Sequence, residues 1–195
     1  MRPGTALFLA ALAGTACGGG TAGEPVTLLE YGAVRPERWK PRPPANTMRL
    51  AEYVGLAPEG EEPPEVVVYY FGPGQGGSAE ANIARWGSQF TGADGADVEP
   101  RVTRLESVAF PTTVAEFEGT YARGIGMGPD REDAEAGQAL VAAVVETPRG
   151  NLFIQLFGPL ASVEAERDAF HDFVRSIAPD GETGDTRSDR PDGGD

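Results

Sequence analysis

The fold is organised around residues 139–157, ALVAAVVETPRGNLFIQLF. Two apolar runs, Ala139–Val145 and Leu152–Phe157, lie on either side of Thr147-Pro148-Arg149-Gly150. A proline in second place and a glycine in fourth place are typical of a type I turn. Because short apolar runs joined by such a turn pair with each other, the sequence predicts a β-hairpin here.

The residues that follow the hairpin predict a helix and then a tail. Ser162 is a good capping residue, and the helix is expected to end before Pro179. Its apolar face consists of Val163, Phe170, Phe173, Val174 and Ile177. Residues 180–195 contain six acids, two arginines and no apolar side chain, so they cannot offset the entropy of folding. We predict a disordered acidic tail.

Four strands and one helix are predicted before the hairpin. Residues 48–54 and 65–71 are strand-like, and the second run is apolar on both faces, as in a central strand. Residues 102–110 and 114–121 give two more strands. In the last of these, alternation predicts one wet face, formed by Val114, Glu116, Glu118 and Thr120.

The predicted helix covers residues 78–90. Ser78 is its capping residue, and an apolar stripe packs on the sheet: Ala79, Ile83, Trp86 and Phe90. Together these elements predict one α+β domain over residues 31–179. It has a largely antiparallel sheet of about six or seven strands and two packed helices.

Two segments of this domain resemble a known group of proteins. They are the helix Asn82-Ile83-Ala84-Arg85-Trp86 with Gln89-Phe90, and the strand Phe153–Pro159 leading into a helix that ends Arg175-Ser176-Ile177. Both are similar to uncharacterised exported bacterial proteins with a PsbP-like sandwich. That resemblance implies an accessory or binding subunit, as in the extrinsic photosystem II protein and a Ran-binding import factor. It assigns no functional residue.

The amino terminus has the layout of a secretory signal. Arg2 precedes the apolar run Ala6–Ala13, which is too short to span a bilayer. Ala13-Gly14-Thr15-Ala16-Cys17 resembles the lipobox of bacterial lipoproteins, which implies a signal peptide over residues 1–16 and lipid attachment to Cys17. Gly18, rather than aspartate, follows the cysteine, so the resemblance implies delivery to the outer membrane.

A flexible tether is predicted after the lipidated cysteine, over residues 17–30, because the segment starts with glycines. Two or three acyl chains such as palmitate anchor a protein without any basic patch. A membrane partner is therefore compatible with an acidic chain, which here has 30 acidic and 16 basic side chains and a formal net charge of −14. The same charge repels nucleic-acid phosphates, so we expect no nucleic-acid partner.

A glycine-rich motif, Gly72-Pro73-Gly74-Gln75-Gly76-Gly77, stands between a strand and a helix, as a dinucleotide-binding loop would. The rest of the chain lacks two mononucleotide-binding halves, so we expect no cofactor. An anion at the helix start, or a plain connecting loop, are the alternatives. The candidate ligand- or partner-binding residues are Gly74, Gly76, Gly77, Ser78, Asn82, Arg85 and Gln89. The last four align on one helix face, where they bind a partner or pin the helix to nearby loops.

The inventory of reactive residues disfavours catalysis. His171 is the only histidine and Cys17 the only cysteine, and the sequence has no GxSxG, HExxH, CxxC or SxxK motif. Ser-His, Cys-His, zinc and β-lactamase-type chemistry therefore lack essential parts. The acidic loops 94–99 and 130–135 lack EF-hand spacing, so no metal is expected. His171 is expected at the surface or boundary of its helix. A carboxylate pair acting as acid and base stays open.

The leading hypothesis is a lipid-anchored cell-envelope protein whose domain binds an envelope protein or a small ligand without catalysis. The alternatives are a carboxylate-dependent envelope hydrolase and a purely structural lipoprotein. Two carboxylates in one concave pocket favour the hydrolase, and a featureless sheet face favours the structural protein.

Overall fold

The structure, a computed structural model, describes residues 23–106, 108–122 and 134–180. Within them the chain forms eleven strands and two helices. The strands are β1 Gly23–Leu28, β2 Tyr31–Pro36, β3 Lys40–Arg42, β4 Arg49–Val54, β5 Glu65–Tyr70, β6 Phe90–Thr91, β7 Arg101–Arg104, β8 Thr112–Tyr121, β9 Glu135–Thr147, β10 Gly150–Pro159 and β11 Ala178–Pro179. The helices are α1 Ala79–Gly87 and α2 Leu160–Arg175. Cys17 and residues 181–195 lie outside the described residues.

The main sheet is antiparallel throughout. Its order is β3-β4-β5-β10-β9-β8-β6, and β7 pairs with the other end of β8. The α+β prediction is confirmed, although this sheet has eight strands where the sequence predicts about six or seven. The short strands β3, β6 and β7 account for the difference, because runs of two to four residues carry little periodicity.

The predicted hairpin is confirmed at the centre of this sheet. Thr147 pairs with Gly150 across a two-residue loop. Neither Pro148 nor Arg149 has a positive φ, which fits a type I turn and excludes the mirror-image turns. Gly150 has φ +113, a conformation that a side chain would strain. The strands β9 and β10 are therefore the central hairpin of the main sheet.

Each face of the main sheet is covered by one helix. α2 packs on one face together with a second, smaller sheet, and the core between them includes Trp39, Val68, Ile154, Phe170 and Phe173. The shorter α1 packs on the opposite face over Trp86, Phe90, Phe117, Leu140 and Phe153. The residues of both predicted stripes pack into these cores, but α1 ends at Gly87 and α2 at Arg175, so Phe90 belongs to β6 and Ile177 follows α2. Neither helix is long and apolar enough to cross a bilayer.

The second sheet contains the first and the last strand of the described chain. Its order is β1-β2-β11, so β2 is flanked by the first and last strands. This differs from the predicted tether over residues 17–30 and from a domain that starts at residue 31. β1 is paired with β2 along its whole length, and Leu28 is buried in the core. The ordered domain therefore includes Gly23, and only residues 18–22 are left between it and Cys17.

An ion pair between a buried arginine and an exposed glutamate links β1 to β2. Arg35 on β2 has a side chain only 7% exposed, and it pairs with Glu24 on β1. Its guanidinium also donates to the carbonyl of Trp39 and lies over the ring of Tyr53, 5.7 Å from the ring centroid. Removing Glu24 would leave a nearly buried cation without its carboxylate, which is costly.

A buried carboxylate fixes α2 to the strands. Glu166 is 1% exposed and accepts hydrogen bonds from Arg38 Nε at 2.9 Å and from the indole of Trp39 at 2.8 Å. The backbone N–H of Leu56 donates to its other oxygen at 3.0 Å. The glutamate thus connects α2 to two other segments, the turn at residues 38–39 and residue 56. Burial of its carboxylate is compensated by the arginine and by these hydrogen bonds.

Three details of the predicted elements are wrong in whole or in part. The strand over residues 102–110 is limited to β7, because Leu105 and Phe110 turn into the core. Ser162 does not cap α2: the helix starts directly after Pro159, and the buried Ser162 hydroxyl donates to the carbonyl of Glu62 at 2.7 Å. The predicted wet face of β8 is only half right: Glu118 is exposed, whereas Val114 is buried in the core and Glu116 is buried beside Arg167 of α2.

Candidate functional site

A groove lies on the α1 face of the main sheet, where the short helix leaves the strands uncovered. Among the described residues its floor is formed by Val67, Leu140 and Phe157. Its walls carry polar groups from Gln89, Gln155, Tyr121 and Glu65. We call this the amide groove, after its two glutamines.

Strand alternation puts these side chains on one face. Val67 is directly opposite Gln155 in the pairing of β5 with β10, and Glu65 is opposite Phe157. Phe157 is in turn opposite Leu140 on β9. Because side chains two residues apart point to the same side of a sheet, the floor and one wall come from three adjacent strands.

The remaining wall comes from the end of α1 and the end of β8. Gln89 follows the helix, and its carbonyl accepts from the N–H of Ala122 at 2.9 Å. Tyr121 packs on Phe157 with ring centroids 4.6 Å apart and on Phe90 at 5.2 Å. These aromatic contacts hold the tyrosine at the rim, where its hydroxyl can bind a partner.

The chemistry of the groove suits recognition of a small polar group on an apolar stem. Each glutamine amide offers two donors and one acceptor oxygen. The carboxylate of Glu65 is held in an ion pair with Arg42. The cavity measures about 90 Å³, well below the ~300–1,000 Å³ of pockets that enclose a whole ligand. It therefore fits a side-chain-sized group.

The predicted binding residues are split by the structure. Gln89 lines the amide groove, whereas the glycine-rich loop, residues 72–77, lies with Ser78 at the start of α1; Asn82 is in the middle of the helix and Arg85 in its last turn. Asn82 is 2% exposed and donates to the carbonyls of Gly76 at 2.7 Å and Ser78 at 2.9 Å. Arg85 donates to the Asn82 oxygen at 2.6 Å. This network pins the loop to the helix.

The start of α1 already holds a negative charge. Ser78 caps the helix by accepting from the N–H of Ala81 at 3.2 Å, which confirms its predicted capping role. The carboxylate of Glu80 accepts hydrogen bonds from the backbone N–H of Glu80 and from the Ser78 hydroxyl, and these lower the pKa of Glu80. Because the Glu80 carboxylate occupies the positive end of the helix, an external anion would compete with it.

Packing against the core requires a glycine at position 76 of the loop but not at position 74. Gly76 has φ +88, and a Cβ there would come within 2.5 Å of the Phe153 ring. Gly74 has φ +69 at the exposed tip, with open space where its Cβ would be. The loop is thus shaped by the approach of its backbone to the core, as in a plain strand-to-helix connection.

A second polar cluster lies on the other face, between β8 and α2. Glu116 is 9% exposed and contacts Arg167 Nε at 3.1 Å. Arg101 on β7 also pairs with Glu116, and Arg167 reaches Glu118 at 3.2 Å. Glu116 and Glu118 are one shielded and one wetted carboxylate, but the same arginine binds both. This pairing favours a structural ion network over an acid and base pair.

His171 lies at the edge of that cluster. Its side chain is 17% exposed, which places it at the predicted boundary, and its Nε2 is 3.9 Å from Glu116. Desolvation lowers the pKa of His171 below its ordinary value, against an opposing effect of Glu116. Its neighbours Asp168, Asp172 and Arg175 line an open surface of α2.

The described residues give no support for a metal site. Within residues 23–106, 108–122 and 134–180, no three His, Cys, Asp or Glu side chains come together to hold an ion. In the acidic loop 94–99, Asp94 accepts from the N–H of Ala96 at 3.0 Å, which is a local turn contact. Most of the second acidic loop, residues 130–133, lies outside the described residues.

Sequence reasoning missed most of the amide groove. Gln155 carried a usable signal, because it is the one polar residue in the run LFIQLF of a central strand. Tyr121 and Glu65 carried none, since both terminate strands where polar or aromatic residues are common. Their convergence depends on strand order, which places β5, β10 and β9 side by side.

Comparisons with known proteins bear on the fold. Neither a protein-family model nor a curated protein sequence matches the chain. Among solved structures, it is similar to cyanobacterial PsbP from Synechocystis, with 13% identity and a TM-score of 0.50 over 86% of this chain and 98% of that one.

Two further structures are similar over most of their length. LpqN, a Mycobacterium tuberculosis protein involved in cell envelope biogenesis, has 13% identity and a TM-score of 0.47 over 82% of this chain and 86% of that one. A Pseudomonas aeruginosa protein of unknown function has 13% identity and a TM-score of 0.45, covering 80% and 96%. The cyanobacterial comparison establishes a PsbP-like fold, and fold alone carries no function to this chain.

Proposed function

We propose that this protein is a lipid-anchored, non-catalytic binding module of the bacterial cell envelope. Cys17 carries the anchor, and the amide groove receives a side-chain-sized group of an envelope protein. The site of attachment is the outer membrane, on its periplasmic side or at the cell surface. The groove is the observation that carries the binding role, since apolar residues and two glutamine amides line it together.

Charge and size support a protein as the partner. The chain has a formal net charge of −14, so a phosphate-rich ligand would be repelled by the chain as a whole. A cavity of about 90 Å³ anchors one side chain, and the surrounding sheet face supplies the remaining contact area, as in interfaces with a few dominant residues.

The anchor is supported by the sequence before the first strand. The lipobox-like residues 13–17 end at the only cysteine of the chain, and β1 starts at Gly23. Each buried methylene of an acyl chain contributes about 0.8 kcal/mol, and two chains give stable attachment. An acidic domain can therefore stay at a membrane without a basic surface.

Lipid attachment is tested in cells that make the full chain. We expect labelled palmitate to enter the protein and globomycin to cause an unprocessed precursor to accumulate. Cys17→Ala is expected to abolish the label and release the protein from membranes. An unlabelled wild-type chain, or a Cys17→Ala chain that still fractionates with membranes, would refute the anchor.

The groove is tested by photo-crosslinking in the native envelope. A photoreactive residue placed at Gln155 is expected to capture one discrete partner, whereas the same residue at Gln75, on the exposed glycine-rich loop, is not. A second test starts from the partner so identified. The double variant Gln89→Ala, Gln155→Ala is expected to lower its binding at least tenfold, and Gln75→Ala is the matched control. Equal binding by all three chains would contradict a role for the groove.

A further inference from the structure

The domain has two distinct ends. At one end, the first residue of β1 pairs with the last of β2, Gly23 with Pro36, and Gly55 donates to the carbonyl of Pro64 at 2.9 Å. Gly158, near the end of β10, lies against Pro64. We call this the anchor end, because the chain enters the domain here.

The opposite end collects the turns and the glycine-rich loop. The hydroxyl of Tyr31 accepts from the N–H of Arg149 at 3.3 Å, and Tyr70 donates to the carbonyl of Arg149 at 2.7 Å. Gly150 in turn lies against the backbone of Gly72 and Pro73. We call this the loop end. It contains the turns at residues 29–30 and 148–149 and residues 72–77.

The two ends are far apart compared with the length of the tether. β10 runs between them with ten residues, which corresponds to about 30 Å at ~3.3 Å per residue. Residues 17 to 23 give six steps, which reach about 20 Å when fully extended and roughly 13 Å as a random coil. The tether is thus shorter than the domain.

The tether cannot be lengthened by detaching β1. Glu24 at its start pairs with the buried Arg35, and Leu28 at its end is 2% exposed. The next strand is fixed as well, since the N–H of Val34 donates to Ser176 after α2 at 2.8 Å. The chain leaves the domain at the loop end, because Pro179 pairs with Tyr31.

From this geometry we propose that the anchored domain has one preferred orientation. The anchor end faces the bilayer, and the loop end, with the glycine-rich loop, faces away from it. This inference rests on the lipid attachment proposed above. The negative charge of the chain also disfavours lying flat on anionic lipids, which would bring the loop end to the surface.

The experiment uses the full lipidated chain in vesicles of phosphatidylethanolamine and phosphatidylglycerol that contain a nitroxide-headgroup lipid. A fluorophore is attached to an introduced cysteine, either Glu61→Cys in the β4–β5 loop at the anchor end or Gln75→Cys at the loop end. Both positions are exposed. Because Cys17 is acylated, the introduced thiol is the one that reacts.

We expect at least twofold stronger quenching at position 61 than at position 75. Inserting ten glycine and serine residues after Gly20 is expected to reduce that difference, because the tether then exceeds the length of the domain. Equal quenching at the two positions with the native tether, or a difference unchanged by the insertion, overturns the orientation. Failure of the protein to float with the vesicles instead overturns the anchor, and the orientation with it.

Discussion

At the level of single residues, Gly74 and Gly76 in the glycine-rich loop differ in how closely their backbone approaches the core. Gly76→Ala adds a methyl group against Phe153 at a positive φ, so it should lower the free energy of unfolding by about 2–4 kcal/mol. Gly74→Ala meets open space and costs about 1–2 kcal/mol for its backbone alone. Urea unfolding of both variants checks this difference. Equal losses would contradict the packing explanation.

His171 gives the domain a pH dependence with a defined sign. Burial lowers its pKa in the folded chain below the ordinary value of 6.5, so the unfolded chain binds more protons between these two values. Stability is therefore fully present above pH 6.5 and is lost as pH falls from there to the folded pKa. Glu116 and Asp168 oppose this effect, while Arg175 and Arg167 strengthen it.

Thermal unfolding at pH 8 and pH 5.5 measures that dependence. The wild-type midpoint should fall more between these two values than the midpoint of His171→Gln, which has no imidazole to protonate. At pH 5.5 most of the acidic groups are still ionised, so their titration contributes little. Identical pH dependence in the two chains would show that His171 does not respond as its burial implies.

At the level of elements, β1 is the strand whose importance is least visible in the sequence. Removing residues 1–30 deletes β1, exposes core around Leu28 and leaves Arg35 without Glu24, so we expect a loss of about 3 kcal/mol or more. Removing residues 1–21 keeps the strand and should preserve the stability of the domain. Urea denaturation of the two shortened chains distinguishes these outcomes. Equal midpoints would mean that β1 contributes little.

The predictable and unpredictable elements differ in how their residues are buried. The hairpin of β9 and β10, the strand β5 and both helical stripes were predictable, because their apolar residues repeat with the period of the element. β1 was not predictable from this period. Only one side of GEPVTL faces the core, and a glycine-rich segment precedes it. The wet face of β8 was predicted correctly at Glu118 but not at Glu116, which is buried beside arginines from β7 and α2.

Gln89 is the one residue that the groove shares with the binding residues predicted from the sequence. Helical spacing predicted that Gln89 shares one face with Asn82 and Arg85, but α1 ends at Gly87. Gln89 therefore follows the helix and lines the groove, while Asn82 pins a loop. The opposite wall comes from three strands whose order a single sequence does not specify.

At the level of the whole molecule, the two packed faces share the strands β8, β9 and β10, so they should unfold together. Trp39 lies in the core on the α2 face of the main sheet. Trp86, a residue of α1, lies in the core on the opposite face. In Trp86→Phe and in Trp39→Phe, the remaining tryptophan therefore reports on one face. We expect its fluorescence transition in urea to coincide with the circular dichroism transition in each variant. Separate midpoints within one variant would indicate that the faces unfold independently.

The bond between the Trp39 indole and Glu166 has a consequence for spectroscopy. The indole N–H is buried and donates to a carboxyl oxygen 2.8 Å away. Its proton can therefore exchange with deuterium only when the second helix separates from the turn after the second strand. In a proton NMR spectrum, this single resonance would follow local opening of that corner separately from every backbone amide.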